Sequence, residues 1–262
     1  MTDRTGPGLP RPLIGVSLKL YLDPARSVAW ARRIGEIVRD HEATASGTAG
    51  VFVLPSLPAL AGVLEATAGT PVRVGAQDLF WEDRGAYTGA VSGADLRAVG
   101  CELVEIGHAE RRRFFGETDD TIRRKLAAAL RNDLVPVLCA GERTRQHATG
   151  AIADVTAQLA AALDGLPDAP EGAGLLIAYE PEWAIGADSS AAPEHVAEVT
   201  SGIRAFLATR PHLPPTSVIY GGSAGPGLLG RLDGAVDGLF LGRFAHDPEA
   251  VAAVLDEAMA LR

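Results

Sequence analysis

The sequence predicts an α/β fold, a single eight-stranded (β/α)8 barrel, on three observations. Short β-branched or leucine-rich runs recur along the whole chain and most are followed by amphipathic helical stretches, a pattern typical of parallel strands joined by right-handed crossovers. Eight such units fit within the 262 residues, the size of a closed barrel, whereas a doubly wound sheet usually has about five to seven strands. No linker divides the chain, so we expect one domain over residues 13–262, preceded by a flexible tail over residues 1–12.

Each element has a local signal. The candidate strands are, in chain order, residues 13–16, 51–54, 72–75, 103–106, 135–138, 175–179, 217–220 and 238–241. Helical periodicity is found at residues 121–132, 152–163, 193–209 and 248–261. Two of these helices have start signals, since Thr118 and two aspartates precede the first and Pro193 suits the first turn of the third. The Gly/Pro/Asp-rich stretch 164–174 is short enough to connect a helix to a strand.

Composition and charge exclude several classes of protein. A net charge of −9 would repel a phosphate backbone, so nucleic acid is not expected as a partner despite the arginines at 111–113. Cys101 and Cys139 have no Cys or His neighbours at metal-ligand spacing, so neither a disulfide framework nor a zinc site is indicated. No run of about 18 apolar residues occurs, so no membrane partner is expected, and the sequence favours a soluble cytoplasmic protein.

Residues able to do chemistry follow the candidate strands, at the end where barrels of this type carry their active sites. They are Lys19 after the first strand, Gly107 and His108 after the fourth, Glu180 after the sixth, Gly221, Gly222 and Ser223 after the seventh, and Gly242 after the eighth. Singly, each is usually a surface charge, a structural histidine or a cap. Together they are expected to converge on one mouth of the barrel, which favours a functional site.

This set holds a base, an electrophile and a cation, with no metal or nucleophile pair. The combination suits proton abstraction next to a carbonyl: a carboxylate removes the proton, a neutral imidazole polarises the carbonyl oxygen and an ammonium stabilises the developing enediolate. The glycine-rich turns after the seventh and eighth strands present backbone N–H groups where barrels commonly bind phosphate. The residues therefore predict an isomerase of a small phosphorylated ketose that uses no cofactor.

Six segments carry a resemblance to a known family. They are EIGHAERRRFFGE at 105–117, LCAGE at 138–142, AYEPEWAIG at 178–186, IYGGS at 219–223, GAQD at 75–78 and GAYTG at 85–89. Through them the chain resembles triosephosphate isomerase, in the same order from about residue 13 to residue 258, and the first and third segments are highly specific. The resemblance implies the TIM-barrel fold and a place in glycolysis and gluconeogenesis.

The resemblance also implies roles for individual residues. Glu180 would be the base, His108 the electrophile and Lys19 the cation, with Glu110 orienting the lysine. The implied substrate contacts come from Ser17, Gly186, Gly222, Ser223, Gly242 and Arg243. Residues 181–191 would form a mobile lid, whose apolar run 183–185 suits a segment that closes over ligand and excludes water. Ordinary core packing is the alternative explanation of that run.

Four positions depart from the family's pattern. Ser17 stands where the family has Asn, Ala109 where it has Ser, Glu182 where a small apolar residue is usual, and Arg243 where the second of two glycines is expected. Arg243 matters most, because its side chain either obstructs phosphate or supplies a positive charge. The first interpretation is a triosephosphate isomerase that converts dihydroxyacetone phosphate to glyceraldehyde 3-phosphate. The alternative is an isomerase of a tetrulose phosphate, erythrulose phosphate, and Ser17 leaves room for it.

Two remote alternatives remain open, and one partner is implied. A glycoside hydrolase would need Glu180 and Glu182 as its carboxylate pair, and two glutamates two residues apart are hard to place across a sugar ring. A non-catalytic barrel homologue would be expected to lack one of the three catalytic residues, and none is missing.

The resemblance implies a homodimer through loop 77–89. Ala90 stands where the family often has Glu, so one ion pair between subunits near Arg111 would be absent.

Overall fold

The computed structural model describes residues 10–170 and 172–261, and within them eight parallel strands close into a barrel. The strands pair in sequence order, and the first pairs with the eighth to complete the ring. They are β1 Leu13–Ser17, β2 Gly50–Leu54, β3 Arg73–Ala76, β4 Leu103–Ile106, β5 Val135–Ala140, β6 Leu175–Tyr179, β7 Thr216–Tyr220 and β8 Gly238–Leu241. The predicted barrel is confirmed. Most of the predicted flexible tail, residues 1–9, lies outside the described residues.

Ten α-helices in the described part of the chain surround the barrel. They are α1 Pro24–Asp40, α2 Glu42–Ala45, α3 Leu60–Ala66, α4 Gly93–Val99, α5 Ala109–Phe115, α6 Asp119–Arg131, α7 Ala148–Leu163, α8 Pro193–Ala208, α9 Leu228–Leu232 and α10 Pro248–Ala260. Three short 3-10 helices, Leu57–Ala59, Glu182–Ala184 and Arg243–His246, follow β2, β6 and β8. These three segments therefore lie at the carboxyl end of the barrel, where the predicted site residues also lie.

The predicted strands agree with the observed ones to within one or two residues, and two helices begin earlier than predicted, α6 by two residues and α7 by four. Helix α7 starts at Ala148, whereas the periodicity places its start at residue 152. Its first turn consists of small residues, of which Ala148 and Ala151 are buried. Alanine and glycine contribute little to an apolar pattern, so the sequence signal begins one turn late.

The barrel interior is filled by its own apolar cluster, separate from the layer between strands and helices. The interior side chains are Leu13, Phe52, Leu54, Leu103, Val137, Cys139, Leu176, Ala178, Ile219 and Phe240. A Cβ on Gly15 would lie 2.1 Å from the Phe52 ring, so glycine there lets the ring occupy the interior. Because successive side chains alternate between the faces of a strand, Ser17 on β1 and Glu105 on β4 also point inward, at the carboxyl end.

The two cysteines, Cys101 and Cys139, are buried free thiols. Burial raises the pKa of Cys101 to about 12, so this thiol is unreactive.

Within residues 10–170 and 172–261, no helix has the length and apolar character needed to cross a membrane. In the same residues no three His, Cys, Asp or Glu side chains are grouped as a metal site requires.

Candidate active site

A cavity of about 270 Å³ opens at the carboxyl end of the barrel and gathers the predicted site residues. Its lining includes Ser17, Lys19, Glu105, His108, Glu110, Glu180, Gly186, Gly221, Ser223, Gly242 and Arg243. Gly222 is the one predicted contact that does not line it. A Cβ on Gly222 would lie 2.4 Å from the Tyr220 hydroxyl, so this glycine faces that ring, and Gly221 lines the cavity instead.

His108 precedes α5 directly, where its ring is held in one orientation. The ring Nδ1 accepts the backbone N–H of Glu110 at 3.1 Å, so the proton of the neutral ring lies on Nε2. That nitrogen is 3.7 Å from Glu180 Oε2. Burial, followed by the positive charge of Lys19, lowers the pKa of His108 to about 4. The imidazole is therefore neutral near pH 7 and presents an N–H donor to the cavity.

Glu180 follows β6 directly and is packed against two glycines. A Cβ on Gly221 would lie 2.6 Å from Glu180 Oε1, and a Cβ on Gly141 would lie 1.8 Å from the Glu180 carbonyl oxygen. Among the described residues Glu180 Oε2 has no hydrogen-bond partner. Burial and then the negative charge of Glu105 raise the pKa of Glu180 to about 8. A carboxylate so poorly stabilised is a stronger base than an exposed one.

Lys19 adopts a left-handed backbone conformation with a φ of 48°, which costs a residue other than glycine about 1 to 2 kcal/mol. The side-chain amide of Gln77 supports this turn by donating to the carbonyl oxygens of Lys19 at 3.2 Å and Leu54 at 2.9 Å. The ammonium donates to Glu110 at 2.7 Å. Burial lowers the pKa of Lys19, but the hydrogen bond to Glu110 and the charge of Glu180 outweigh burial, so the pKa is raised. Lys19 is therefore a protonated side chain whose position is fixed by Glu110.

The β7 and β8 side of the cavity is built from backbone and from contacts to residues 181–191, the segment that the resemblance predicts to be a lid and that is called the lid below. The Ser223 hydroxyl donates to the carbonyl oxygens of Ala184 at 2.9 Å and Ala187 at 2.8 Å. The Arg243 guanidinium donates to the carbonyl oxygens of Gly186 at 3.2 Å and Ala187 at 3.0 Å. Arg243 therefore stands on the rim of the cavity and ties β8 to the lid, leaving the interior of the cavity open.

The lid is anchored at its other end by a buried carboxylate. Glu142 is fully buried and accepts the indole N–H of Trp183 at 2.8 Å. The His195 Nε2 lies 3.3 Å from the same carboxylate. Ala184 is fully buried and Ile185 lines the cavity. The apolar run of the lid therefore packs into the core with one residue and faces the ligand space with another.

Three polar residues of the site receive no role from the sequence. They are Gln77 after β3, Glu105 within β4 and Glu142 after β5. Glu105 is buried, its Oε2 accepts the Ser17 hydroxyl at 2.9 Å, and burial raises its pKa to about 7. Each of the three lies at or near the carboxyl end of a strand. The rule that identifies Lys19 and His108, which examines residues that follow a strand, would therefore have found Gln77 and Glu142 but not Glu105, which lies inside its strand.

A wider cavity of about 630 Å³ adjoins the first and shares Lys19, His108 and Glu110 with it. Exposed hydrophobic side chains line it: Leu20, Tyr21, Leu57, Phe114 and Phe115. Phe114 and Phe115 are 66% and 69% exposed. A contiguous apolar surface of this kind is typical of an interface with another protein.

Comparisons with known proteins agree on one family. The model of the family described as triosephosphate isomerase matches residues 12–258. The L-erythrulose-1-phosphate isomerase of Pectobacterium atrosepticum is 50% identical over 248 residues, which cover 95% of this chain and 96% of that protein. The triosephosphate isomerase of Moorella thermoacetica is 38% identical, over 94% of this chain and 98% of its own. The crystal structure of triosephosphate isomerase from Bartonella henselae superposes with a TM-score of 0.78 at 25% identity, over 95% of this chain and 99% of that one.

Proposed function

The chain belongs to the triosephosphate isomerase family and is a sugar-phosphate isomerase, and we propose that its substrate is the four-carbon ketose L-erythrulose 1-phosphate. The observation that carries the proposal is the higher identity to the Pectobacterium protein, 50% against 38% to the Moorella triosephosphate isomerase. The comparisons thus favour the alternative that the sequence leaves open over its first interpretation, dihydroxyacetone phosphate. The glycolytic and gluconeogenic role tied to that first interpretation is not part of the proposal.

In the proposed reaction Glu180 removes a proton from the hydroxyl-bearing carbon next to the carbonyl. The electron pair of that C–H bond forms the carbon–carbon double bond of an enediolate. His108 Nε2–H and the Lys19 ammonium stabilise its oxygens, and His108 moves a proton from one oxygen to the other. Return of the proton from Glu180 to the neighbouring carbon gives the isomer and restores the carboxylate. The distance of 3.7 Å between Glu180 Oε2 and His108 Nε2 supports the proposal that both groups act on the same substrate.

Phosphate is proposed to bind at the β7 and β8 side. Backbone groups of Gly186, Ser223 and Gly242 line the cavity there, and Lys19 and Arg243 supply positive charge. Since Arg243 and Ser223 both donate to lid carbonyl oxygens, bound phosphate and a closed lid would be stabilised together. A closed lid excludes water from the enediolate.

The homodimer remains a proposal as well, with loop 77–89 of each subunit inserted into the other. The exposed aromatic side chains Phe114 and Phe115 beside Lys19 and His108 support it, since an inserted loop would cover them.

Arg111 already pairs with Asp78 at 2.6 Å and Glu117 at 2.5 Å within the chain. The absence of an acid at Ala90 therefore leaves no charge unpaired there. Sedimentation at micromolar concentration tests the dimer, and a monomer would contradict it.

The substrate is tested by supplying the purified protein separately with L-erythrulose 1-phosphate and dihydroxyacetone phosphate and measuring kcat/KM for each. We expect the four-carbon ketose to be preferred by about 10²-fold or more, the discrimination expected of a site built around one substrate. A Glu180→Gln variant, tested on the same substrates, reports any contaminating isomerase. Turnover of the triose at a higher kcat/KM than the tetrulose would overturn the proposal and restore the first interpretation.

A further inference from the structure

Glu105 is a buried carboxyl group that the proposed chemistry does not use. It lies inside β4, is 3% exposed, and points into a barrel whose other interior side chains are apolar at this strand and its neighbours. A buried ionisable group without a cation is expensive for a fold to keep. In the described residues Glu105 has no salt-bridge partner, since Lys19 pairs with Glu110 instead. The cost of burying Glu105 therefore suggests that this carboxyl group has a functional role.

The hydrogen bonds of Glu105 are few for its capacity. Oε2 accepts the Ser17 hydroxyl at 2.9 Å, and Oε1 has only the Cys139 thiol, at 3.9 Å. A carboxyl group has about four acceptor positions, and a thiol is a weak donor. Both Ser17 and Glu105 line the 270 Å³ cavity. The pair thus forms a polar floor of the cavity that joins β1 to β4 across the barrel, and Glu105 has acceptor positions that these two hydrogen bonds do not use.

The position of this floor relative to phosphate identifies what it would contact. The strands follow one another in order around the closed ring, so β4 is diametrically opposite β8, whose following turn holds Gly242 and Arg243. A substrate with its phosphate at the β7 and β8 side therefore directs its other end toward β4. In a four-carbon ketose 1-phosphate that end is a hydroxymethyl group, and a carboxyl–hydroxyl pair is matched to an alcohol and repels an anion.

We propose that Glu105 and Ser17 form a hydroxyl-binding subsite that recognises the terminal hydroxymethyl group of the four-carbon substrate and so sets substrate length. The inference rests on the proposed four-carbon function and adds to it two specificity-determining residues. Ser17, whose short side chain leaves room, provides the space, and Glu105 provides the hydrogen bond. Dihydroxyacetone phosphate also ends in a hydroxymethyl group, but the carbon of that group is the one that Glu180 deprotonates. The triose has no further hydroxyl beyond it and would leave the hydrogen-bonding capacity of the carboxyl group unused.

The test compares kcat and KM of wild type, Glu105→Leu, Glu105→Gln and Ser17→Ala for L-erythrulose 1-phosphate and for dihydroxyacetone phosphate. We expect Glu105→Leu to lower the ratio of kcat/KM for the tetrulose to that for the triose by about 10- to 100-fold, the effect of one hydrogen bond to a charged or partly charged group. Glu105→Gln keeps a donor and an acceptor, so its ratio should fall less. Ser17→Ala should lower the ratio by about 3- to 10-fold, since it releases the carboxyl group without removing it.

Ser217→Ala is the matched control. Ser217 is a buried hydroxyl on β7, in register with the interior residue Leu176 and outside the cavity lining. It should leave the ratio unchanged. Thermal unfolding of each variant shows whether it folds, and Ser17→Ala, the smallest change, keeps the test open if Glu105→Leu does not.

A purely electrostatic role of Glu105 predicts a different result. If Glu105 acts only by raising the pKa of Glu180, each variant shifts the pH profile equally for both substrates and leaves the ratio constant, which would overturn the subsite. Failure of the proposed function has its own signature, because wild type would then prefer the triose. A wild type that prefers the tetrulose, with a ratio insensitive to Glu105 and Ser17, would reject the subsite alone.

Discussion

The β1, β4 and β6 side of the cavity works through ionisable side chains, whereas the β7 and β8 side works through backbone groups and contacts to the lid. On the first side Lys19, His108 and Glu180 are fixed by burial and by their neighbours. On the second side the Ser223 hydroxyl and the Arg243 guanidinium are both engaged with lid carbonyl oxygens. The chemical step and the retention of the substrate are thus assigned to two different walls of the cavity, which adjoin where β6 pairs with β7 and β8 pairs with β1. Substitutions on the two walls should produce different kinetic signatures.

The largest effect is expected on the ionisable side, at the base. Glu180→Gln should lower kcat by about 10²-fold or more with a small change in KM, because the amide cannot accept the carbon-bound proton. Steady-state kinetics on both ketoses measure it. Glu182→Gln is the matched control, since Glu182 does not line the cavity, and it should stay within about twofold of wild type. An equal loss in both variants would contradict the assignment and reopen the carboxylate pair of a hydrolase.

The pH dependence of kcat/KM should likewise belong to the ionisable side. Glu180 acts ionised and its pKa is raised to about 8, so kcat/KM should rise about tenfold per pH unit up to that value and then level off. His108, with a pKa lowered to about 4, should add no transition between pH 5 and 9. Glu105→Gln removes a neighbouring negative charge and should move the rise to lower pH. A profile that is flat from pH 6 to pH 9 would contradict this origin.

Stability should move in the opposite direction to specificity at Glu105. Replacing this buried carboxyl group by leucine should stabilise the fold by about 1 to 3 kcal/mol, measured by urea unfolding. Burial raises the pKa of Glu105 from 4.5 to about 7, so the folded state holds the proton more tightly than the unfolded state. The stabilisation this gives wild type is complete below about pH 4.5 and is lost as the pH rises through about 7. The gain in Glu105→Leu should therefore be larger at pH 8 than at pH 5, and a loss of stability at both values would contradict the account.

The smallest effect is expected on the retention side. Arg243→Ala removes two hydrogen bonds to the lid and a positive charge near the phosphate, so KM should rise by about 3- to 10-fold while kcat changes less. Arg243→Lys keeps the charge and loses the planar fork, so it should recover part of the affinity. Inhibition by inorganic phosphate reports the same site without catalysis. A fall in kcat with KM unchanged would place Arg243 with the chemical step and break the division between the walls.

What the sequence could predict follows from the same division. The barrel and its strands are encoded in local periodicity, and Lys19, His108 and Glu180 stand directly after strands, so a reading of strand ends finds them. The hydrogen bond between Ser17 and Glu105 joins residues 88 positions apart in the chain, and no pattern in the sequence around either residue predicts it. The only signal was an acid within the apolar run at 103–106. The hydrogen bonds of Arg243 could not be predicted from the sequence either, because they depend on where the carbonyl oxygens of the lid lie.

The close packing of Gly141 and Gly221 around Glu180 has a consequence for how substrate size can evolve in this barrel. A side chain at Gly141 would collide with the Glu180 backbone, and one at Gly221 would displace the Glu180 carboxylate, so a larger residue at either position would disturb the base. Space for a longer sugar is more accessible at β1 and β4, where Ser17 and Glu105 line the cavity. Attempts to redirect the enzyme toward five-carbon ketoses should randomise those two strands and leave both glycines untouched.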